Sequence, residues 1–310
     1  MPISSIGAGA ASAAALPQSV SVDLVSASNV TLSGEQTIDG VTTSASTVLC
    51  IGQSTASENG IYTTAAGAWS RAGDLDSDAD LADWIARGIE VYVGTSGSAY
   101  GQSRGFKLRI SNAPTTLGSD AMEWQVVPGL YTLYNATLGS DTVDVTASNL
   151  PAIVGAAIRA DFAGHIIGTN EGPGALIQLG TSGTVDTSSS SYNQLIYRNY
   201  GTTSSQAFRA DSYDGWHWQL AGDDTADAIT HGSAATVRVL DYAVSTRYTR
   251  AFLESQYFNY NQSENIYQMR RATGVFLNVA TVDVFRLSGT WNSGTHFASG
   301  STVRIFLEVA

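Results

Sequence analysis

Residues 274–309 read GVFLNVATVDVFRLSGTWNSGTHFASGSTVRIFLEV. Within them Val303, Ile305, Leu307 and Val309 alternate with Arg304, Phe306 and Glu308, the two-residue period of a strand with one buried face. Upstream, VDVFRL is a second run of β-formers, and the SGTWNSGTHFASGS between the two is a polar loop without helical spacing. Two strands cannot bury their own apolar face. The segment therefore predicts a sheet already built by the preceding chain, with this last strand closing a β-sandwich.

Working back from there, LYTLYNATL, TVDVTA, GAAIRADFAG, ALIQLG, SYNQLIYRNYG, GWHWQLAG, ATVRVLDY and STRYTRAFLESQYFNY read as strands between loops rich in Gly, Ser and Asn. About eight to ten strands across residues 129–310 fit a jelly roll better than a single sheet. Residues 22–128 read as a smaller, mostly β module containing VDLVSA, TVLCIGQ, GIEVYVG, GFKLRI and MEWQVV. Asn59-Gly60 is its strongest turn signal. One helix is expected, Asp80 to Arg87, capped by Asp78 or Asp80, with Leu81, Trp84 and Ile85 on one face and Gly88 as its stop. Residues 1–21 are small and uncharged and read as a flexible attachment arm. They lack the basic start and long apolar run of a signal peptide.

The 310 residues suit two medium domains, each with its own core. Only 14 % of residues are charged and 31 are Gly, which together with the scarcity of helical spacing favours an all-β chain. A net charge of -12 without a basic cluster argues against a nucleic-acid partner. No stretch reaches the roughly 20 apolar residues of a membrane span, so no membrane insertion is expected. Cys50 is the single cysteine, which leaves packing or assembly to stabilise the fold and fits synthesis in a cytoplasm.

Asp74, Asp76, Asp78 and Asp80 alternate, but a calcium loop counted from Asp76 would place Leu81 and Arg87 where Gly and Glu are required. His165, His217, His231 and His296 lie in no metal-binding pair pattern, so neither metal nor cofactor is expected. Asp223, Asp224 and Asp227 are the carboxylates available for glycan cleavage, but acidic loops commonly carry such groups. No nucleophile elbow or phosphate-binding loop is present, and the chain reads as non-enzymatic. Trp216 and Trp218, two apart on GWHWQL, stand with Tyr192, Tyr197, Tyr200, Tyr257, Tyr260 and Tyr267 in neighbouring segments. Aromatic faces stack on the C–H faces of sugars, while the competing reading of each Trp is a core residue. The glycan-binding set expected from sequence is Trp216, Trp218, Tyr257, Tyr260 and Arg270; Arg270-Arg271 either anchors acidic sugars or faces solvent.

Two resemblances bear on function. TLSGEQTIDGV, followed by VLCIGQ, ENGIY and GAWSRAGDLDSDADL, resembles a module of bacteriophage tail fibre and other appendage proteins, over roughly residues 24–127. This chain departs from it at Thr43-Ser44-Ala45-Ser46, where a charged turn is usual, and at Cys50, where a longer aliphatic is usual. Tyr131 to Val145, Ile177 to Tyr200, Val239 to Leu253 and the closing FASGSTVRIFL resemble the jelly-roll domain of phage fibre, spike and decoration proteins. The resemblance implies a virion protein made in a bacterial host, docked on other virion proteins through its arm and module. Its second domain would contact host-surface polysaccharide, as a homotrimer whose copies multiply a weak single site. The alternatives are a capsid decoration or cement protein of a phage or gene-transfer-agent-like particle, and a polysaccharide depolymerase.

Overall fold

The computed structural model describes residues 19–94, 97, 99–101, 104–164, 166–167, 174–200, 204–219, 222–223, 233–261, 264–289 and 296–310. Side chains are described for these except at 166–167, 174, 198–200, 204–213, 217–219, 222–223, 233, 257–261, 264–268, 270 and 296. The fold is all-β with one α-helix among the described residues.

The first half folds into two small sheets. β1 (Ser19–Val22) and β2 (Leu24–Ser26) are followed by the hairpin β3 (Thr37–Ile38) and β4 (Val41–Thr42), then by β5 (Thr47–Cys50), β6 (Gly60–Thr63) and β7 (Ser70–Arg71). After α1 (Asp78–Arg87) come β8 (Glu90–Val93), β9 (Lys107–Ile110) and β10 (Trp124–Val126). The orders are β1-β8-β9-β10 and β2-β5-β6-β7. β1 starts at Ser19, inside the segment expected to be an arm; residues 1–18 lie outside the described residues. The second sheet is buried on both faces. Leu24, Val48, Cys50 and Tyr62 point into a small cluster with Ile38 and Trp69, whereas Val25, Leu49 and Ile61 point into the main core. That is why VLCI is an unbroken apolar run.

The helix begins two residues earlier than expected, and its cap is Ser77, whose hydroxyl accepts the Asp80 N–H at 3.2 Å. Gly88 ends it in the left-handed region, at φ 62°. Asn59-Gly60 is not a two-residue hairpin turn: Asn59 follows a turn of 3-10 helix, Ala56–Glu58, and Gly60 opens β6 opposite Cys50.

The second half contains β11 (Gly129–Thr137), β12 (Asp144–Ala147), β13 (Ala157–Gly164), β14 (Ile166–Ile167), β15 (Gly174–Thr181), β16 (Thr184–Val185), β17 (Tyr192–Tyr200) and β18 (Ser204–Tyr213). It continues with β19 (Trp216–Gln219), β20 (Gly222–Asp223), β21 (Ser233–Leu240), β22 (Thr249–Asn261), β23 (Glu264–Phe276), β24 (Val284–Ser288), β25 (His296–Phe297) and β26 (Thr302–Val309). Four antiparallel pairings nest inside one another: β11 with β26, β12 with β24, β13 with β21, and β15 with β19. Because β26 also pairs β13 and β24 also pairs β15, the pairs fold over into the sheets β11-β26-β13-β21 and β12-β24-β15-β19. This is a jelly roll. The last strand sits between the first and third, with Val303, Ile305 and Leu307 fully buried, as their alternation predicts.

Two hairpins are added to the roll. β17–β18 is inserted between β15 and β19, and β22–β23 between β21 and β24; they pair with each other and widen one sheet to eight strands, β11-β26-β13-β21-β22-β23-β17-β18. Neither β18 nor β23 is expected from the sequence.

The two halves share one continuous buried cluster, whereas the sequence predicts two cores. Phe106 of the first half stacks on Tyr131 of the second at 4.5 Å, with the rings 18° apart. Beside them the Arg104 guanidinium, 5 % exposed, donates to the carbonyls of Ala99 (2.6 Å), Asn149 (2.9 Å) and Ser148 (2.8 Å). Burial lowers its pKa and Asp39 opposes the shift. Arg104→Met leaves those carbonyls without their charged donor, and we expect a loss of about 3 kcal/mol in urea unfolding.

Burial pushes the Cys50 thiol up to about 12, against a smaller downward pull from Arg71. An unfolded thiol ionises from its ordinary 9.0, so this contribution to stability is complete below that pH and is lost as pH rises towards 12. The buried Tyr100 hydroxyl, also raised to about 12, acts in the same direction. Urea midpoints should fall across this alkaline range, and less steeply in Cys50→Ala.

Candidate functional site

The added hairpins create the candidate site. Along β21, β22, β23 and β17 one set of alternating residues, Val237, Leu253, Ala272 and Ile196, is buried between the sheets. The period of two turns their neighbours to the outer face. There Arg238, Phe252, Thr273 and Leu195 are successive cross-strand partners, and Thr236, Glu254, Arg271 and Tyr197 form the next row. The face is concave, a depression of about 880 Å³ with Leu195, Tyr197 and Phe252 among its walls. These three side chains are 47 %, 56 % and 49 % exposed. Rimmed by charge, they give the depression exposed apolar side chains of the kind that mark a binding surface.

The rim charges differ in how firmly they are held. Glu308 grips Arg238 at two points, Nη2 to Oε1 at 3.0 Å and Nε to Oε2 at 2.9 Å. Arg159 meets Asp161 at 3.0 Å, and the Thr236 hydroxyl donates to the same carboxylate at 2.9 Å. Arg271 has only a 3.5 Å contact from Nε to Glu254 among the described residues, with both side chains well exposed. Glu254 is the one carboxylate among the described residues lining the depression. Cleavage of a glycosidic bond ordinarily uses two. The arrangement can stack sugar rings on Tyr197 and Phe252, accept hydroxyls at Glu254 and donate from Arg271.

Of the glycan-binding residues expected from sequence, Trp216 is corrected. It is fully buried, edge-on to Tyr192 at 5.7 Å, and its indole lies against Gly274, where a Cβ would sit 2.5 Å from Nε1. Its Nε1 has no hydrogen-bond acceptor among the described residues. Tyr192 is buried too, its hydroxyl donating to the Asp186 carbonyl at 2.8 Å and accepting the Leu179 N–H at 2.8 Å. Trp218 is opposite Ala175, Tyr257 opposite Gln268, Tyr260 opposite Asn265, and Arg270 opposite Ser255 and Arg198; their side chains lie outside the described residues. So do those of Asp223, Asp224, Asp227 and the four histidines. Tyr197 and Arg271, noted in sequence, do reach the site; Leu195 and Phe252 were missed. Their signal was faint: in QLIYR and AFLES an apolar residue on the open face adjoins one on the core face.

Two of the alternating aspartates, Asp78 and Asp80, have structural roles. The Asp78 carboxylate accepts the Leu117 N–H at 2.6 Å, and the Ser77 hydroxyl donates to Asp80 at 2.5 Å. No group of three or more metal-binding side chains occurs among the described residues. Comparison with protein-family models, curated proteins and solved structures gives no match for this chain.

Trp216→Ala should cost about 3–5 kcal/mol in urea unfolding, the price of emptying a packed core site. Tyr197→Ala should stay within about 1 kcal/mol of the parent, because its ring faces water.

Proposed function

We propose that the chain is a bacteriophage virion appendage protein whose second half adheres to host-surface polysaccharide through the concave face of its eight-stranded sheet. The observation that carries this reading is the exposure of Leu195, Tyr197 and Phe252 in a depression rimmed by charged groups. Apolar rings supply platforms for pyranose faces, and the charged groups exchange hydrogen bonds with hydroxyls. The sequence resemblance to phage fibre modules and jelly rolls supports the particle context. The first half joins the roll at 147–150, the end where β12 finishes and β13 has yet to begin. Several copies on one particle, a trimer by the resemblance, multiply a weak single site.

The test is binding of the full chain to immobilised bacterial surface polysaccharides, beside the double variant Tyr197→Ala/Phe252→Ala. The parent should bind, and the variant should lose about tenfold or more while its unfolding midpoint stays close to the parent's. Binding to empty particles with none to any polysaccharide would sink the adhesion reading in favour of a decoration protein. Release of reducing ends would instead identify an enzyme.

A further inference from the structure

We infer that the polysaccharide recognised by this face is acidic, a chain of uronate-type sugars whose carboxylate is taken by Arg271 with Arg238 beside it. The inference rests on the adhesion reading above and names its substrate class. It begins from a charge asymmetry. The chain carries a net charge of -12, and Lys107 is its only lysine. On the outer face, the two rows that cross the depression continue into β13 and β26, adding Arg159, Asp161 and Arg304. Four arginines thus face Asp161, Glu254 and the adjoining Glu308. Among the described residues, this acidic molecule therefore presents a slightly positive surface at the depression.

The arginines divide the work. Arg159 and Arg238 are direct partners across the ladder, a like-charge pairing that costs energy unless anions compensate it. Asp161 and Glu308 supply that compensation within the fold. Arg271 is different: its side chain is 67 % exposed, and among the described residues its one ion pair is a 3.5 Å contact from Nε to Glu254. So exposed and loose a pair contributes little. The terminal nitrogens of the guanidinium then present the planar fork that a carboxylate fits with two hydrogen bonds. Tyr197 is the cross-strand partner of Arg271, so a ring stacked on the tyrosine would set its carboxylate beside the fork.

Glu254 gives the inference a sign. For a neutral sugar its carboxylate accepts hydroxyls, and removing the charge weakens binding. For a uronate it repels the ligand and competes for Arg271, so removing the charge tightens binding.

The experiment titrates the full chain with oligogalacturonate, with its methyl ester, which keeps rings and hydroxyls but not the charge, and with alginate as a second polyuronate. At least one polyuronate should bind about tenfold or more tightly than the ester, and less tightly at high salt. Arg271→Gln should abolish the preference, while Glu254→Gln should strengthen acid binding. Equal binding of acid and ester, lost in Tyr197→Ala, would overturn acidity and leave the adhesion reading intact. Binding of poly-glutamate in place of any polyuronate would identify an acidic protein segment as the partner and overturn the inference. If neither polyuronate binds, the inference fails even where another polysaccharide does; if no polysaccharide binds and Tyr197→Ala changes nothing, the adhesion reading fails with it.

Discussion

The insertion of β26 between β11 and β13 is the constraint on which the second half depends. Without that strand the two flanking strands lose a full ladder each, and the buried side chains of Val303, Ile305 and Leu307 leave the centre of the core. The pairing joins Gly129 to Val309, so the roll closes across nearly the whole of the second half. Such closure carries a large loop entropy that is recovered only when several ladders form together. The same logic repeats in the smaller sheet, where β24 lies between β12 and β15. The nested pairings make the roll a cooperative object.

Against that closed unit the candidate site is an addition. The eight strands of the roll need neither β17–β18 nor β22–β23, yet those hairpins supply most of the depression. They extend a sheet whose inner face is already fixed, so each new strand inherits the same alternation of core and open positions. Phe252, Arg271, Leu195 and Tyr197 thereby reach one surface from three strands that belong to two separate hairpins. A rigid backbone of paired strands holds them in place, which suits recognition of a ligand with stiff rings.

What could be read from the sequence follows from how local each signal is. β26 and α1 were legible because alternation in one and helical spacing with Gly88 in the other are complete within a few residues. β23 was not, since MRRATG combines adjacent charges with a glycine, and only the structure shows why: Gly274 makes room for Trp216. Trp216 itself has a surface-like setting, GWHWQ, and its burial is imposed by Tyr192 and Gly274 from other strands. The shared core was hidden for the same reason. Phe106 and Tyr131 each look like ordinary strand residues of their own half until the stack between them is seen. The depression was half legible: its tyrosine and arginine stood out, but nothing local distinguishes Phe252 from the buried Leu253 beside it.

The join between the halves governs how the molecule carries load. With the first half held on a particle and the concave face held by a ligand, tension enters near Gly129 and Arg104 and leaves through β17, β22 and β23. The Arg104 contacts and the Phe106–Tyr131 stack oppose swivelling at the neck, where a flexible joint would otherwise take up the strain. A molecule built this way behaves under traction as a stiff tether.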